Sequence, residues 1–339
     1  MARLAILGAT GAVGTTLLRV LEERSFPVDQ LRLLASARSA GQTRSYAGRE
    51  LPIEAASPGS FDEIDIAIFS AGAARSREFA PHAIAAGAVV IDNSSAFRMD
   101  EGTPLVVPEV NPHAARGHRG LIANPNCSTM QLVPVLRPLH ARSPLEHVTV
   151  STYQSVSGTG QKAIAALASE SAAVLAGTPA QALIYAHPIA FNALPFAGAL
   201  QGDDGYTDEE LKLVNESRKI LELPELRVSA TCVRVPVFNC HSESVWVQTR
   251  DPIAPDEARA LLADAPGVSV IDDPGRNAYP TALDADGKPG VFVGRIRRDL
   301  GDERALALWI VSDNLRKGAA ENAVQIAELL VADRLLARG

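Results

Sequence analysis

Short apolar runs separated by stretches of helical period fill the first third of the chain. Ala2–Leu7 predicts a strand, and Val13, Leu17, Val20 and Leu21, at i, i+4, i+7 and i+8, predict the helix after it. Gln30–Ala35, Ile64–Phe69 and Ala88–Ile91 predict three more strands, with a helix of small residues before the last of them. Leu105–Val110 and Leu121–Ala123 carry the sheet round to Cys127. Strand and helix in alternation predict a parallel, doubly wound sheet.

After Cys127 the pattern changes. Met130–His140 predicts a helix, Val148–Val156 a long strand, Gln161–Leu175 an Ala-rich helix and Tyr206–Leu221 a polar one. Val228–Val237 and His241–Thr249 are separated only by Phe238-Asn239-Cys240, which predicts a hairpin. Val291–Arg297 and Ala305–Val311 are two further strands, and Asp272–Gly290, rich in Asp, Gly and Pro, reads as a long loop. Strands that follow one another without helices predict a largely antiparallel sheet, and hence a second domain of α+β type. The last helix, Gly318–Leu336, places Ala323, Ile326, Ala327 and Leu330 on one face. The expected fold class is therefore α/β, with domain boundaries at 1–127, 128–317 and 318–339 and no repeat or linker.

Composition narrows the functional classes. The 339 residues suffice for two cores, and 47% hydrophobic with 21% charged residues is the balance of a globular protein. A net charge of −7 without a basic block argues against nucleic acid as partner. The three cysteines, Cys127, Cys232 and Cys240, are odd in number and lack zinc spacing. They point to a reducing compartment and to no metal. No apolar run spans a bilayer, and the N-terminus opens on a strand without a signal sequence, so the expected location is cytoplasmic, with no membrane partner.

Three stretches carry candidate chemistry. Gly8-Ala-Thr-Gly-Ala-Val-Gly14 lies between a strand and a helix, where a dinucleotide pyrophosphate would rest on the helix N-terminus. Its spacing is G-x-x-G-x-x-G rather than G-x-G-x-x-G, and an ordinary βα turn is the competing reading. The second strand ends in Ser36-Ala37-Arg38-Ser39, without the carboxylate an NAD ribose needs. A guanidinium and two hydroxyls suit the 2′-phosphate of NADP. Ile122-Ala-Asn-Pro-Asn-Cys-Ser-Thr129 places Cys127 at a strand-to-helix turn, where the helix dipole favours thiolate and backbone N–H groups can hold an oxyanion. A small core cysteine is the alternative. Arg98 follows a strand at the carboxyl end of the sheet and could clamp an anion. Arg234 and His241, on the two arms of the expected hairpin, could bind a carboxylate and move a proton; an ion pair and a structural histidine compete.

Together these motifs resemble the aspartate-semialdehyde dehydrogenase family along nearly the whole chain. The matching stretches are Gly8–Gly14, Asp92–Met99, Asn124–Thr129, Gln154–Gly160, Thr231–Ser244, Asn277–Thr281, Gly294–Asp299 and Ser312–Ala319. The resemblance implies a Rossmann-type NADP-binding domain, a catalytic and dimerisation domain, and a C-terminal helix returning to the first. It implies a homodimer that converts aspartyl 4-phosphate to aspartate semialdehyde with NADPH, on the route to lysine, threonine, methionine and diaminopimelate. Cys127 would be the nucleophile, His241 the acid/base, and Gln154 would orient the acyl group. Arg234 and Glu210 would hold the substrate's carboxylate and amino group, and Arg98, Asn126 and Lys212 its phosphate. The cofactor would meet Gly8, Thr10, Gly11, Ala12, Val13, Gly14, Ser36, Arg38, Ser39, Ser70, Asn93, Ser157 and Gly158, with Asn314 and Lys317 near the nicotinamide. Two other readings stay open: a reductase of N-acetylglutamyl phosphate, and a catalytically silent nucleotide-binding paralogue.

Overall fold

The computed structural model describes residues 1–336 and forms two compact units: Met1–Asn126 with the chain from Ala319 onward, and Cys127–Gly318. The first unit is a seven-stranded sheet. Its strands are β1 (Ala2–Leu7), β2 (Val28–Ala35), β3 (Thr43–Tyr46), β4 (Arg49–Ala55), β5 (Ile66–Phe69), β6 (Val89–Asp92) and β7 (Leu121–Ala123), in the order β3-β4-β2-β1-β5-β6-β7. All neighbours are parallel except the edge pair β3–β4. Alternate residues of β1 supply two cores, because a strand's side chains point to opposite faces. Leu4 and Ile6 pack with Leu17, Val20 and Leu21 of helix α1 (Ala12–Glu23). Ala5 and Leu7 pack with Phe61, Phe69 and Phe79, the last on α2 (Ala73–Ala85).

Two expectations change here. The run Leu105–Val110 is buried but joins the sheet only through a bridge from Leu105 to Ala123. Thr43–Ala55, which carries no apolar run, forms an extra edge hairpin around Ala47-Gly48, both at positive φ.

The second unit holds α3 (Cys127–Arg142), β8 (Leu145–Gln154), α4 (Gln161–Leu175), a two-residue ribbon of β9 (Leu200–Gln201) and β10 (Tyr206–Thr207), α5 (Asp208–Leu221), β11 (Arg227–Arg234), β12 (His241–Thr249), α6 (Pro255–Ala263), β13 (Val268–Val270), α7 (Ala282–Ala285), β14 (Val291–Arg298) and β15 (Ala305–Ser312). The six-stranded sheet runs β11-β8-β12-β15-β14-β13. It is mixed: β8–β12, β12–β15 and β14–β15 are antiparallel, while β11–β8 and β13–β14 are parallel.

The expected hairpin of β11 and β12 does not form, because β8 lies between the two strands. The link after Arg234 instead crosses the end of β8, where the N–H groups of Val156 and Ser157 donate to the carbonyls of Val237 and Phe238. Beyond β15 a π-helical turn, Arg316–Glu321, leads into α8 (Asn322–Ala332). That helix is shorter than the expected Gly318–Leu336, and the expected C-terminal domain runs on into residues 337–339, outside the described ones. Its stripe Ala323, Ile326, Ala327 and Leu330 is fully buried in the core of the first unit. Each of the larger two contributes roughly 1.5–3 kcal/mol on burial. Among the described residues no helix is long and apolar enough to cross a membrane.

Candidate active site

The glycine loop of the first unit is built by close backbone packing. Gly8 lies at φ +96, and a Cβ there would fall 2.4 Å from the Ser70 carbonyl oxygen. A Cβ on Gly14 would fall 2.3 Å from the Gly8 carbonyl. Gly11 differs: nothing but the Gly8 oxygen, at 3.4 Å, comes near its added Cβ. Gly11 is the N-cap of α1, with no side-chain cap and no acidic residue in the first turn. Thr10 precedes that cap, and Ala12 and Val13 open the helix. Free first-turn N–H groups at an uncapped, uncharged helix start fit a phosphate. After β2, Ser36 and Arg38 are exposed and Ser39 half-buried, and no carboxylate pairs with Arg38 among the described residues. Asn93 follows β6, accepts a hydrogen bond from Asn124, and keeps its buried amide nitrogen unpartnered. Those features fit a nicotinamide dinucleotide. Arg98 is buried, its Nε donating to the Asn124 carbonyl at 2.9 Å and Nη2 to that of Asn93 at 2.8 Å. Asn126, also buried, is the last residue of this unit.

Cys127 opens the second unit as the first residue of α3, three residues earlier than the predicted helix start. Its thiol is part-exposed and unbridged, at a helix end whose dipole favours an anion. Gly318 closes on it: an added Cβ would lie 2.9 Å from Cys127 Cβ and 3.3 Å from its Cα.

Three strand ends meet at one edge of the six-stranded sheet. Arg234, the last residue of β11, pairs with Gln154, the last of β8. Ser242 of β12 pairs with Tyr153, so His241 comes level with Gln154. His241, Gln154 and Arg234 thus form one buried row. Gln154 Nε2 donates to Ser128 Oγ at 2.9 Å, beside Cys127, and to Glu209 Oε1 at 3.0 Å; its buried Oε1 has no partner. Arg234 Nη1 donates to the Ser155 carbonyl at 2.9 Å, and its guanidinium lies 5.9 Å from the centre of the Tyr185 ring. The His241 Nδ1 accepts from the Ser155 N–H at 3.0 Å, and its Nε2 is buried without a partner. A Cβ on Gly158 would come within 3.3 Å of both Arg234 Nη1 and His241 Nε2, so the missing side chain keeps the space before them open. Burial, then the Arg234 charge, pushes the His241 pKa down to about 3, with Glu209 and the Cys240 backbone opposing.

Glu210 does not face this row. Its Oε2 accepts from Thr207 N at 2.8 Å in a capping box at the start of α5, and its Oε1 accepts from Cys232 N at 3.0 Å. The carboxylate beside the row is that of Glu209, which accepts from Gln154 Nε2 at 3.0 Å and from Lys212 Nζ at 3.1 Å. Burial works against the Lys212 ammonium, yet Glu209 and Asp208 outweigh it and hold its pKa above the usual value. The sequence carries a signal for the place of Glu210: Thr207-x-x-Glu210 is a capping-box spacing, which commits that carboxylate to the helix start. Asn314 Oδ1 accepts from Ser155 Oγ at 3.0 Å, Ser157 Oγ at 3.1 Å and Cys240 N at 2.9 Å, behind the histidine; Lys317 is fully buried. Ser155, which sequence reasoning passed over, joins these groups. Cys240, Asp286 and Asp313 also cluster, but Asp313 is committed to the N–H groups of Gly287, Leu315 and Arg316, and the cluster reads as a loop clasp.

A cysteine at a helix start, an arginine and a histidine flanking a glutamine, and a dinucleotide loop suit an acyl-transferring dehydrogenase. Residues 3–118 match the family model for the NAD binding domain of semialdehyde dehydrogenases, and residues 136–317 match that for their dimerisation domain. The aspartate-semialdehyde dehydrogenase of Aquifex aeolicus is 53% identical over 98% of this chain and 99% of its own. This chain belongs to the aspartate-semialdehyde dehydrogenase family. The Bacillus subtilis member is 51% identical over 96% of each chain. Among solved structures, aspartate semialdehyde dehydrogenase II of Vibrio cholerae, complexed with ASA, superposes with a TM-score of 0.95 at 47% identity, covering 98% of this chain and 99% of that one. The aspartate semialdehyde dehydrogenase of Candida albicans with NADP gives 0.76 at 26% identity, covering 99% and 100%.

Proposed function

We propose that the chain reduces L-aspartyl 4-phosphate to L-aspartate 4-semialdehyde and phosphate with NADPH, through a thioester on Cys127. Full-length likeness to aspartate-semialdehyde dehydrogenases carries this reading, and the row His241–Gln154–Arg234 gives it a chemical basis. Cys127 thiolate attacks the acyl carbon and phosphate leaves. Bound NADPH supplies the hydride that reduces the thioester. Gln154 orients the acyl group from its place beside Ser128, and Arg234 takes the α-carboxylate with its planar fork. Glu209 takes the free ammonium, and Arg98, Asn126 and Lys212 the phosphate. The first unit holds the cofactor and the second does the chemistry.

The preference for NADP rests on Ser36, Arg38 and Ser39, an unpaired guanidinium with two hydroxyls where NAD sites carry a carboxylate. The partner is a second copy. On the sheet face turned from the helices, Thr149, Ser151, Tyr153, Ser244 and Trp309 form a band of hydroxyls and aromatics, with Tyr153 and Trp309 rings 5.4 Å apart. Such a face suits burial against its own copy, and sedimentation at micromolar concentration reads the resulting mass. Three unbridged thiols accord with a reducing compartment, the cytoplasm. A reductase of N-acetylglutamyl phosphate is not favoured, since an acylated amine gives Glu209 no cation to bind. The test is phosphate-dependent NADP⁺ reduction with each aldehyde: activity with aspartate semialdehyde alone supports the reading, and activity with the acetylated aldehyde alone refutes it.

A further inference from the structure

We propose that Tyr185 is a positioning residue for recognition of the substrate's α-carboxylate. Its ring lies against the face of the Arg234 guanidinium and holds the plane in which that fork meets the carboxylate. The proposal rests on the reading of Arg234 given above.

A guanidinium grips a carboxylate at two points only when its plane is aimed at the anion. The protein's own hydrogen bonds do not fix that plane for Arg234. Nη1 donates to the Ser155 carbonyl at 2.9 Å, while Nε is buried without a partner among the described residues. One bond pins a corner and leaves the fork free to turn about it. The second constraint is the Tyr185 ring, whose centre lies 5.9 Å from Arg234 Cζ, with the cation over its face. That distance is within the reach of a cation–π contact, and a ring on one face blocks rotation out of the plane.

The ring is itself held in place. Tyr185 belongs to the irregular connection between α4 and β9, which is tied down at three points. Leu194 exchanges both backbone hydrogen bonds with Arg234, at 2.9 and 2.8 Å. The buried Glu170 of α4 accepts from the N–H groups of Ile189 at 2.6 Å and Ala190 at 3.1 Å. The third point is Tyr185, whose hydroxyl donates to Thr159 Oγ1 at 2.9 Å and whose ring packs on the cluster of Val156, Leu167 and Ile189. Thr159 follows Gly158, the glycine that keeps the space before Arg234 and His241 open. The turn that clears this space therefore also anchors the ring, and the bridge at Leu194 fixes the Arg234 backbone. Tyr185 is only half-buried, so its place beside a buried arginine is better explained by orientation than by core packing.

Steady-state kinetics of full-length variants, in phosphate-dependent NADP⁺ reduction, test the proposal. Tyr185→Leu keeps apolar bulk on the cluster and removes the aromatic face. Its kcat/KM for aspartate semialdehyde should fall about 5- to 30-fold, through KM, with the KM values for phosphate and NADP unmoved. Tyr185→Phe keeps the face and should restore the parent's aldehyde KM. An ammonium has no plane to hold, so adding Tyr185→Leu to Arg234→Lys should cost little more than Arg234→Lys alone. An unchanged aldehyde KM in Tyr185→Leu, an equal rise in all three KM values, a Phe variant as impaired as the Leu variant, or additive losses in the double variant would each overturn the proposal. So would a drop in urea midpoint that accounts for the lost activity. The two levels of failure are separable. If the parent does not oxidise this aldehyde, or Arg234→Lys leaves its KM unchanged, the reading of the site falls and the proposal with it. If Arg234→Lys raises that KM and Tyr185→Leu does not, the proposal alone falls.

Discussion

Neighbouring carboxylates on α5 should respond to mutation in opposite ways. Glu210 is buried and accepts N–H groups from Thr207 and Cys232, both themselves buried. Glu210→Ala strands those two donors, at about 1–3 kcal/mol each, and dismantles a capping box. The expected loss is roughly 3–5 kcal/mol of unfolding free energy, with kcat and aldehyde KM of the surviving folded fraction near those of the parent. Glu209 is different: Lys212 keeps Asp208 at 2.6 Å, and Gln154 keeps Ser128, when Glu209 is removed. Glu209→Ala should therefore cost less than about 1 kcal/mol in stability, as for a part-exposed ion pair. Its kcat/KM for aspartate semialdehyde should fall by about 2–4 kcal/mol, roughly 30- to 1,000-fold, for loss of one partner of a charged pair. Urea unfolding and steady-state kinetics on the two variants separate these effects. The reasoning is refuted if Glu210→Ala raises the aldehyde KM without loss of stability while Glu209→Ala leaves the kinetics unchanged.

Other perturbations reach the remaining groups. Cys127→Ala should abolish turnover and leave NADP affinity intact by calorimetry; substantial residual aldehyde oxidation would remove Cys127 as nucleophile. Arg38→Ala should raise the KM for NADP more than that for NAD, by about 1.5–3 kcal/mol of lost charge-assisted contact, and equal effects on both would take Arg38 out of the phosphate site. Arg98→Lys should raise the KM for inorganic phosphate more than for aldehyde, and Arg234→Lys the reverse; swapped effects would reverse the substrate's orientation. Glu243, fully buried on β12, has its carboxyl pushed well above the usual range by burial, which Gln131 offsets only in part. A raised folded pKa gives stability that is present below the unfolded value and drains away as pH rises toward the folded one. Glu243→Gln should thus gain on the parent protein as pH goes from 5 to 8, and denaturation midpoints differing by a constant amount would contradict this.

The sequence was most legible where neighbours in the chain are neighbours in the fold. β1, the glycine turn and α1 follow from local period and packing, and α4 falls at the expected residues. Edge strands β3 and β4 escaped notice because they bury little, so no apolar alternation marks them. The supposed β11–β12 hairpin failed for another reason: short separation suggests local pairing, whereas register is decided by burial against β8. In the site, Arg234, His241 and Gln154 were recognisable as residue types, but their common row arises from three strand ends no local pattern connects. The place of Glu210 at the start of α5 is legible locally, in the capping spacing Thr207-x-x-Glu210, whereas the contact of Glu209 with Gln154 joins residues 55 apart in the chain. Ser155 left no trace in the sequence, because its contribution comes from a backbone N–H.

Acyl transfer to Cys127 is open to direct observation. The protein would be mixed with aspartyl 4-phosphate in the absence of NADPH, quenched in acid and digested for mass spectrometry. An aspartyl increment on the peptide that carries Cys127 is expected, absent from Cys127→Ala and discharged as aldehyde when NADPH is added before the quench. An increment on Cys232 or Cys240, or full turnover with no acylated peptide, would contradict the thioester route.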